Sequence, residues 1–377
     1  MQNCLKLLTI LIFANVYSQQ QFVFFGSYNW ENNSEGIYVY QLENETGKLT
    51  KITSIKDVIN PSYITISEDG KYIYASSESK IKNGGTVSSF RFNKEEKILK
   101  LLNSQKSGGE NPVYVSVHKN GKWLVNGNYT YASVSVYPIL EDGRIDSISQ
   151  LLKFSEGSIN PDRQAEAHIH SAVFSPDFKT IFFTDLGADK IRIYPFDNGD
   201  LKPLNVEKSR FIKTKPGSGP RHFILSKNGK WAYSIEEMAG EISVYDFTEN
   251  TLREIQKIPT HPAKIKDGFE SSDLHISPDG KFLYASNRGR ENNIAIFKIQ
   301  SDGTLETLGY QKTYGKHPRT FIIDETGKFV IVANTGSNRV VTFKRNPVTG
   351  LLKKTGKSLK ITNVSCVKTK VYDTQKD

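Results

Sequence analysis

Histidine, arginine and carboxylate side chains gather in a few short windows of the sequence. Imidazole accepts a proton near neutral pH, and guanidinium groups stabilise an oxyanion or bind a phosphate or carboxylate. If several such groups meet in one place, they form a candidate binding or catalytic site. The windows contain His168 and His170, Arg221 and His222, Glu236 and Glu237, Asp273 and His275, Asn287 and Arg288, and His317 and Arg319.

The elements that must position these residues follow from a repeat. Six segments share an alternating apolar stretch, a turn that is Asp-Gly or Asn-Gly in most copies, and a second alternating stretch, which predicts a β-hairpin. A third short strand and a weaker fourth follow each hairpin. About four strands per ~50 residues is one propeller blade. The hairpins are residues 61–75, 112–126, 171–185, 220–234, 272–286 and 318–333.

The two ends of the chain supply a seventh blade. Residues 22–28 and 36–42 match the second and third strands of a blade that lacks its first, and residues 361–370 form a lone strand able to supply it. Closure of a ring removes the exposed sheet edges that invite aggregation. We therefore predict an all-β fold, a seven-bladed β-propeller closed by a C-terminal strand that joins the N-terminal blade. A solenoid or a sandwich is the alternative.

This fold predicts where the polar windows lie. The innermost strand of a blade lines the central channel, and hairpin pairing sets residues just before the first strand beside those just after the second. One mouth of the ring should therefore collect the windows from several blades. The expected neighbours are Arg221 opposite Ile235 or Glu236, His170 near Thr184 and Asp185, and Asp273 near Ser286.

Composition and motifs narrow the function classes. The formal charge is +10, but many lysines follow turn glycines around the whole ring, so we predict a solvated surface and no nucleic-acid partner. The sequence contains no Gly-x-Ser-x-Gly elbow, phosphate loop, His-Glu-x-x-His motif or paired-cysteine site. His168 and His170 could share a strand face and bind a metal, but no further in-register ligands accompany them. We predict no metal and no cofactor.

Residues 1–18 differ from the rest of the chain. A short, weakly basic start, an apolar run and small residues at the usual cleavage spacing are typical of a secretory signal peptide, and the run is too short to span a bilayer. We predict a signal peptide over 1–18, one propeller domain over 19–377, and export to the periplasm or the medium. If the segment is not a signal, the protein is cytoplasmic. We expect no membrane span, and a monomer or weak oligomer.

Three segments of the sequence are Gly217-Ser-Gly-Pro-Arg-His222, His170-Ser-Ala-Val-Phe-Ser-Pro-Asp177, and the stretch from Asp273 to Arg288. They resemble the signature segments of the seven-bladed lactonase family, which includes the propeller type of 6-phosphogluconolactonase and the fungal carboxy-muconate lactonizing enzyme. The resemblance covers roughly residues 22–370.

The resemblance implies particular site residues. The loop Gln164-Ala-Glu-Ala followed by His168 departs from the family pattern and is a candidate for shaping a different substrate. Glu236 leaves the position of the catalytic acid open by one residue. The implied catalytic residues are His170, Arg221, Glu237 and Arg288. The candidate substrate-binding residues are His222, Asp273, Asn287, Arg319 and Glu236.

The implied chemistry is the opening of a lactone. His170 would deprotonate water, and Arg221 or Arg288 would stabilise the oxyanion or bind an anionic group of the substrate. Glu237 would orient His170 or an arginine, or act as the acid/base itself. We predict a hydrolase of a small anionic sugar lactone, with 6-phosphoglucono-1,5-lactone as the family's named substrate. A non-catalytic ligand- or protein-binding propeller and a muconate-type cycloisomerase are the alternatives.

Overall fold

Seven antiparallel sheets surround a central channel in the computed structural model, which describes residues 19–30, 34–79, 81–248 and 251–373. The prediction of an all-β, seven-bladed propeller is confirmed. The predicted signal peptide lies outside the described residues. Nowhere in the described part of the chain does a helix reach the length and apolarity that a membrane span requires.

The first four blades each contain three or four strands in chain order. Blade 1 has β1 (Gln19–Ser27), β2 (Ile37–Leu42) and β3 (Leu49–Ile55). Blade 2 has β4 (Pro61–Ile66), β5 (Tyr72–Ser77), β6 (Thr86–Asn93) and β7 (Ile98–Lys106). Blade 3 has β8 (Glu110–Val117), β9 (Trp123–Thr130), β10 (Ser133–Pro138) and β11 (Gln150–Lys153). Blade 4 has β12 (Ile169–Phe174), β13 (Thr180–Asp185), β14 (Lys190–Pro195) and β15 (Arg210–Lys213).

The remaining strands complete the ring. Blade 5 has β16 (Pro220–Leu225), β17 (Trp231–Glu236), β18 (Glu241–Thr248) and β19 (Thr251–Pro259). Blade 6 has β20 (Ser271–Ile276), β21 (Phe282–Asn287), β22 (Asn293–Ile299) and β23 (Leu305–Lys312). Blade 7 has β24 (Pro318–Ile323), β25 (Phe329–Asn334), a 3₁₀ turn (Thr335–Ser337), β26 (Arg339–Arg345), β27 (Leu352–Lys354) and β28 (Leu359–Lys360). The last strand, β29 (Val364–Asp373), returns to blade 1.

The closing strand is the innermost strand of blade 1. β29 pairs antiparallel with β1 from Gln19 opposite Asp373 to Ser27 opposite Val364, which confirms the predicted closure. The strand begins later than expected because the backbone N–H of Ile361 bonds to Asn338 of blade 7 instead. Blade 1 therefore combines both ends of the described chain.

Each innermost strand has a β-bulge near its start, and these bulges position residues of the candidate site. Register shifts occur at this point in β4, β8, β12, β16, β20 and β24, and also in the pairing of β29 with β1. A bulge adds an unpaired residue and turns its side chain away from the regular alternation. Since the innermost strands all run in the same direction around the ring, the bulges meet at one mouth of the channel.

Adjacent blades are joined by tyrosine hydroxyls that donate to glycine carbonyls of the next blade. Tyr233 donates to Gly303 at 2.9 Å and Tyr284 donates to Gly350 at 2.7 Å. Tyr372 of the closing strand makes the same type of contact with Gly70 of blade 2, also at 2.7 Å. These buried contacts satisfy the hydroxyl while the rings fill the space between the sheets.

Tyr372 offers a test of the closure. Its ring centroid lies 5.4 Å from that of Phe22 and 6.0 Å from that of Phe92, so it links the closing strand to blades 1 and 2. Tyr372→Ala should lower the free energy of unfolding by about 3–5 kcal/mol, because it leaves a cavity at the joint. Tyr372→Phe should cost only about 1 kcal/mol, the value of one hydrogen bond. Equal effects of the two variants in urea unfolding would contradict the packing role.

Candidate active site

The bulges place polar side chains at the mouth of the channel. In blade 4, Ile169 pairs with Asp185 and Ser171 with Thr184, which leaves His170 in the bulge. In blade 5, Pro220 pairs with Glu236 and His222 with Ile235, so Arg221 lies between the two predicted partners. In blade 6, the N–H of Asp273 bonds to the hydroxyl of Ser286 at 3.0 Å. The predicted neighbours of all three residues are confirmed.

Glu237 lies at the centre of a cluster of guanidinium groups. Its Oε1 accepts a hydrogen bond from Arg163 at 2.7 Å. Its Oε2 lies 2.7 Å from Nη2 of Arg288 and 2.9 Å from Nε of Arg221, although the Arg221 N–H forms no linear hydrogen bond with it. The Glu237 backbone N–H bonds to the Gly219 carbonyl at 2.8 Å, which fixes the carboxylate just beyond the end of β17. One carboxylate therefore holds three arginines from three parts of the chain.

The cluster is buried and charged. The side chains of Glu237 and Arg221 are 6% and 1% exposed. Burial alone would raise the pKa of Glu237, but Arg288, Arg221 and Arg163 lower it to about 2. Burial and the charges of Arg288 and Arg319 lower the pKa of Arg221 to about 9, against the opposing effect of Glu237. Glu237 and Arg221 are therefore both ionised at pH 7.

His222 and Asp273 hold Arg221 in place through a chain of hydrogen bonds. An arginine only donates hydrogen bonds, so the 3.2 Å contact of Arg221 Nη1 with His222 Nε2 makes that nitrogen an acceptor. The proton of His222 is then on Nδ1, which donates to Asp273 Oδ1 at 2.7 Å. Burial and Arg221 lower the pKa of His222 to about 4, so the ring is neutral at pH 7. The second oxygen of Asp273 accepts the N–H of Phe321 at 3.1 Å, which links blade 6 to blade 7.

His170 faces this group with an uncommitted nitrogen. Its Nδ1 is buried and has no hydrogen-bond partner among the described residues. Its ring centroid lies 5.3 Å from that of His222 and 5.6 Å from that of Tyr129. Burial, and then the charge of Arg221, lower the pKa of His170 well below the usual value of 6.5. A neutral imidazole with a free nitrogen can accept a proton.

The ring of His168 contacts Tyr129 and takes no part in a metal site among the described residues. Its ring stacks on Tyr129 with centroids 4.1 Å apart, and its Nδ1 lies 2.9 Å from the Tyr129 carbonyl oxygen. Tyr129 thus stands between His168 and His170. Among the described residues, no three His, Cys, Asp or Glu side chains converge as metal ligands would.

Arg319 lies at the same mouth but does not contact Glu237. It occupies the bulge of β24, and its nearest carboxylate oxygen is Oε1 of Glu78 at 3.7 Å. The hydroxyl of Tyr28 donates to the same oxygen at 2.7 Å. His317, two residues before Arg319, is held neutral because burial and Arg288 lower its pKa to about 4.

Two of the predicted substrate-binding residues make their hydrogen bonds away from the arginine cluster. Glu236 contacts the hydroxyl of Ser218 at 3.0 Å, and burial raises its pKa to about 7 without any contribution from the arginines of the mouth. The amide of Asn287 donates to the carbonyl of Thr260 at 2.6 Å and to Asn293 at 2.9 Å. The structure thus assigns the acid of the arginine cluster to Glu237 rather than Glu236, and gives Asn287 a structural place within blade 6.

Several residues of the mouth are not predicted by the sequence patterns. Arg163 immediately precedes the unusual Gln164-Ala-Glu-Ala run, and this position is the one sequence signal for it. Tyr63 and Tyr114 stack at 4.2 Å beneath His222, and Lys368 of the closing strand donates to the Tyr63 hydroxyl at 2.9 Å. Nothing local marks these tyrosines, because tyrosine is frequent throughout the strands.

Comparison with known proteins gives a consistent result. Residues 22–369 match the family model described as lactonase, 7-bladed beta-propeller. The chain is 38% identical over 352 residues to a 6-phosphogluconolactonase of Formosa agariphila, covering 93% of this chain and 99% of that one. It is 30% identical over 347 residues to a 6-phosphogluconolactonase of Bacillus subtilis, covering 91% and 96%. The solved structure of a periplasmic gluconolactonase of Pseudomonas aeruginosa superposes with a TM-score of 0.86 at 31% identity, covering 93% and 99%.

Glu237→Gln tests whether the carboxylate holds the site together. Removing its charge leaves buried guanidinium groups without their counterion, so the free energy of unfolding should fall by about 3–5 kcal/mol. Because the pKa of Glu237 is depressed, this stabilisation is present above the unfolded pKa of about 4.3 and is lost as the pH falls towards 2. The exposed Glu96→Gln is the matched control. A Glu237→Gln protein as stable as that control in urea unfolding at pH 7 would refute the role.

Proposed function

Since this chain belongs to the family of seven-bladed β-propeller lactonases and is a lactone hydrolase, we propose that its substrate is a small anionic sugar lactone, with 6-phosphoglucono-1,5-lactone as the first candidate. The observation that carries the proposal is the cluster at the mouth, where Glu237 organises three arginines beside the neutral His170. Two relatives named 6-phosphogluconolactonase support this choice of lactone.

The proposed mechanism begins with water. His170 takes a proton from a water molecule, whose oxygen attacks the lactone carbonyl carbon, and the carbonyl oxygen becomes an oxyanion. Arg221 and Arg288 stabilise that charge in a site from which the surrounding blades exclude most water. When the tetrahedral intermediate collapses, the bond between the carbonyl carbon and the ring oxygen breaks. The ring oxygen takes up the proton that His170 accepted from water and leaves as the hydroxyl of the open-chain acid, which returns His170 to its neutral form.

Glu237 is proposed to position the arginines and not to act as the base. Its carboxylate contacts Arg163, Arg221 and Arg288, and a pKa of about 2 makes it a poor proton acceptor at neutral pH. Of the roles open to it from the sequence, orientation of an arginine has the support of these contacts. His170 is neutral and has a ring nitrogen without a hydrogen-bond partner among the described residues, so it is the group suited to accept the proton.

His222 and Asp273 are proposed to act through Arg221. Asp273 fixes the tautomer of His222, which leaves Nε2 as an acceptor for the guanidinium, and the Ser272 carbonyl accepts a second bond from Arg221 at 2.6 Å. These contacts hold the arginine in one rotamer before the substrate arrives. Both residues are better described as positioning residues than as substrate contacts.

We also propose that the protein is exported. The composition of residues 1–18 supports this, and so does the description of the Pseudomonas aeruginosa relative as periplasmic. Because phosphorylated gluconolactone is made inside cells, export makes unphosphorylated gluconolactone the second candidate substrate, and it belongs in every assay. The expectation of a monomer or weak oligomer stays a prediction.

The activity assay uses 6-phosphoglucono-1,5-lactone and glucono-1,5-lactone, with spontaneous hydrolysis subtracted. His170→Ala removes the base and Arg221→Ala removes an oxyanion partner, so each should lower kcat by about 100-fold or more. Arg210→Ala, an exposed arginine of β15, is the control and should match the wild type. No wild-type rate above the spontaneous one on either lactone would overturn the proposed substrate class. Equal rates in the wild type and both site variants would overturn the residue assignment.

The pH profile gives a second test. His170 must be neutral to accept a proton, and burial and the charge of Arg221 lower its pKa well below the usual 6.5, so kcat/KM should be flat near pH 7 and any acid limb should lie below the usual imidazole pKa. Rates measured between pH 5 and 8 on one lactone suffice, since spontaneous hydrolysis is subtracted at each pH. An acid limb centred at pH 7 or above would be incompatible with His170 as the base.

A further inference from the structure

The arginines of the mouth divide into two kinds. Arg163, Arg221 and Arg288 each have a nitrogen within 2.9 Å of a Glu237 oxygen. The Arg319 guanidinium makes no hydrogen bond with any of the described residues, and the one carboxylate among them within 4 Å of it is that of Glu78 at 3.7 Å.

Other arginines buried in this chain donate hydrogen bonds from their guanidinium groups. Arg192 donates to Asp185 Oδ2 from two nitrogens at 3.0 and 2.7 Å. Arg345 donates to the Gly327 carbonyl at 2.6 Å. Arg319 differs from both, although its side chain is only 17% exposed. Its donors are therefore available to a ligand that enters the mouth.

The backbone holds Arg319 in place without using its guanidinium. The Ser272 hydroxyl donates to the Arg319 carbonyl at 2.6 Å, and the bulge of β24 fixes the direction of the side chain. The guanidinium lies over the Tyr28 ring, 5.6 Å from its centroid. The Glu78 oxygen nearest to it is already occupied by the Tyr28 hydroxyl. Arg319 is thus oriented but not neutralised by a hydrogen-bonded partner.

The charges around Arg319 point to the class of ligand. Four guanidinium groups (Arg163, Arg221, Arg288 and Arg319) face three carboxylates, because Glu270 lies 4.0 Å from Arg288 in addition to Glu237 and Glu78, which leaves one positive charge in excess. The histidine and the tyrosine beside Arg319, His317 and Tyr28, are neutral at pH 7, because burial lowers the pKa of His317 to about 4 and raises that of Tyr28. Deeper in the channel, Asp273 and Lys368 carry opposite charges. A net positive charge at the mouth favours an anionic ligand such as a phosphate monoester.

We propose that Arg319 binds the phosphate of a phosphorylated sugar lactone and so determines the specificity of the enzyme. The planar fork of a guanidinium suits bidentate contact with phosphate oxygens. The proposal rests on the proposed function and adds to it. The lactone carbonyl would lie beside Arg221 and Arg288, and the phosphate at the other end of the substrate would lie beside blade 7. Arg163 is 44% exposed and lies on a loop, so it is available to make a second contact with the same anion.

The kinetic test compares two substrates. In the wild type, Arg319→Gln and Arg319→Lys, kcat and KM are measured on 6-phosphoglucono-1,5-lactone and on glucono-1,5-lactone. Arg319→Gln should lower the ratio of kcat/KM for the phosphorylated over the unphosphorylated lactone by about 10-fold or more, chiefly through KM, and Arg319→Lys should recover part of it. The control is Arg339→Gln, an exposed arginine in the same blade. A ratio unchanged in Arg319→Gln would overturn the proposal.

A binding measurement separates this proposal from the proposed function. Calorimetric titration with 6-phosphogluconate and with gluconate needs no turnover. Arg319→Gln should weaken 6-phosphogluconate binding by about 10-fold or more relative to the wild type, even if neither lactone is a substrate. Equal affinities of the wild type and Arg319→Gln would refute the role of Arg319 whether or not the protein is a lactonase. No wild-type preference for 6-phosphogluconate over gluconate would refute it too.

Glu78→Gln distinguishes anion binding from a merely structural ion pair. If Arg319 binds phosphate, removal of the neighbouring negative charge should tighten 6-phosphogluconate binding, opposite in sign to the effect of Arg319→Gln. If Arg319 and Glu78 only stabilise the fold, both variants should lower the unfolding midpoint and weaken binding together. The same sign of change in both variants would therefore count against the proposal.

Discussion

The buried charge of Glu237 is the constraint on which the site depends. A carboxylate that is 6% exposed must be compensated by hydrogen bonds and opposite charges, or it becomes protonated. Here the compensation comes from the loop before blade 4, from the bulge of blade 5 and from the end of a strand in blade 6. The same ion pairs therefore join three blades and fix the arginines that the chemistry requires. Stability and function at this mouth share one set of contacts.

The ring makes this arrangement possible because it repeats one distortion. Every innermost strand has a register shift near its start, which leaves at least one residue there outside the regular pairing. In blades 4, 5 and 7 that residue is His170, Arg221 or Arg319, whereas in blades 2 and 3 it is Ser62 or Val113. The polar chemistry is thus concentrated on one side of the mouth. Closure by β29 adds Lys368 and completes the wall.

The sequence was sufficient to predict the ring and the register of its hairpins, because alternation and turn residues act locally. That local information located His170, Arg221 and Arg288 at one mouth. It could not decide between Glu236 and Glu237, because that choice depends on where β17 ends relative to a bulge in β16. Nor could it find Arg163, whose contact with Glu237 joins residues 74 positions apart and in different blades. Contacts of this kind follow only from how the blades pack.

The difference between the two sides of the mouth explains how one site can hold its arginines rigidly and still bind an anionic substrate. On the Glu237 side the guanidinium groups are held in fixed orientations by Glu237, His222 and the Ser272 carbonyl, so little reorganisation is needed when a lactone carbonyl becomes an oxyanion. On the blade 7 side the Arg319 guanidinium has no hydrogen-bonded partner among the described residues, and its charge repels Arg221, whose pKa is lowered by burial and by the charges of Arg288 and Arg319. This repulsion destabilises the ligand-free protein. An anion bound there removes that repulsion, and whatever binds only the native state also stabilises it. The unmatched charge thus lowers the stability of the ligand-free protein, and relief of this repulsion contributes to the affinity for an anionic substrate.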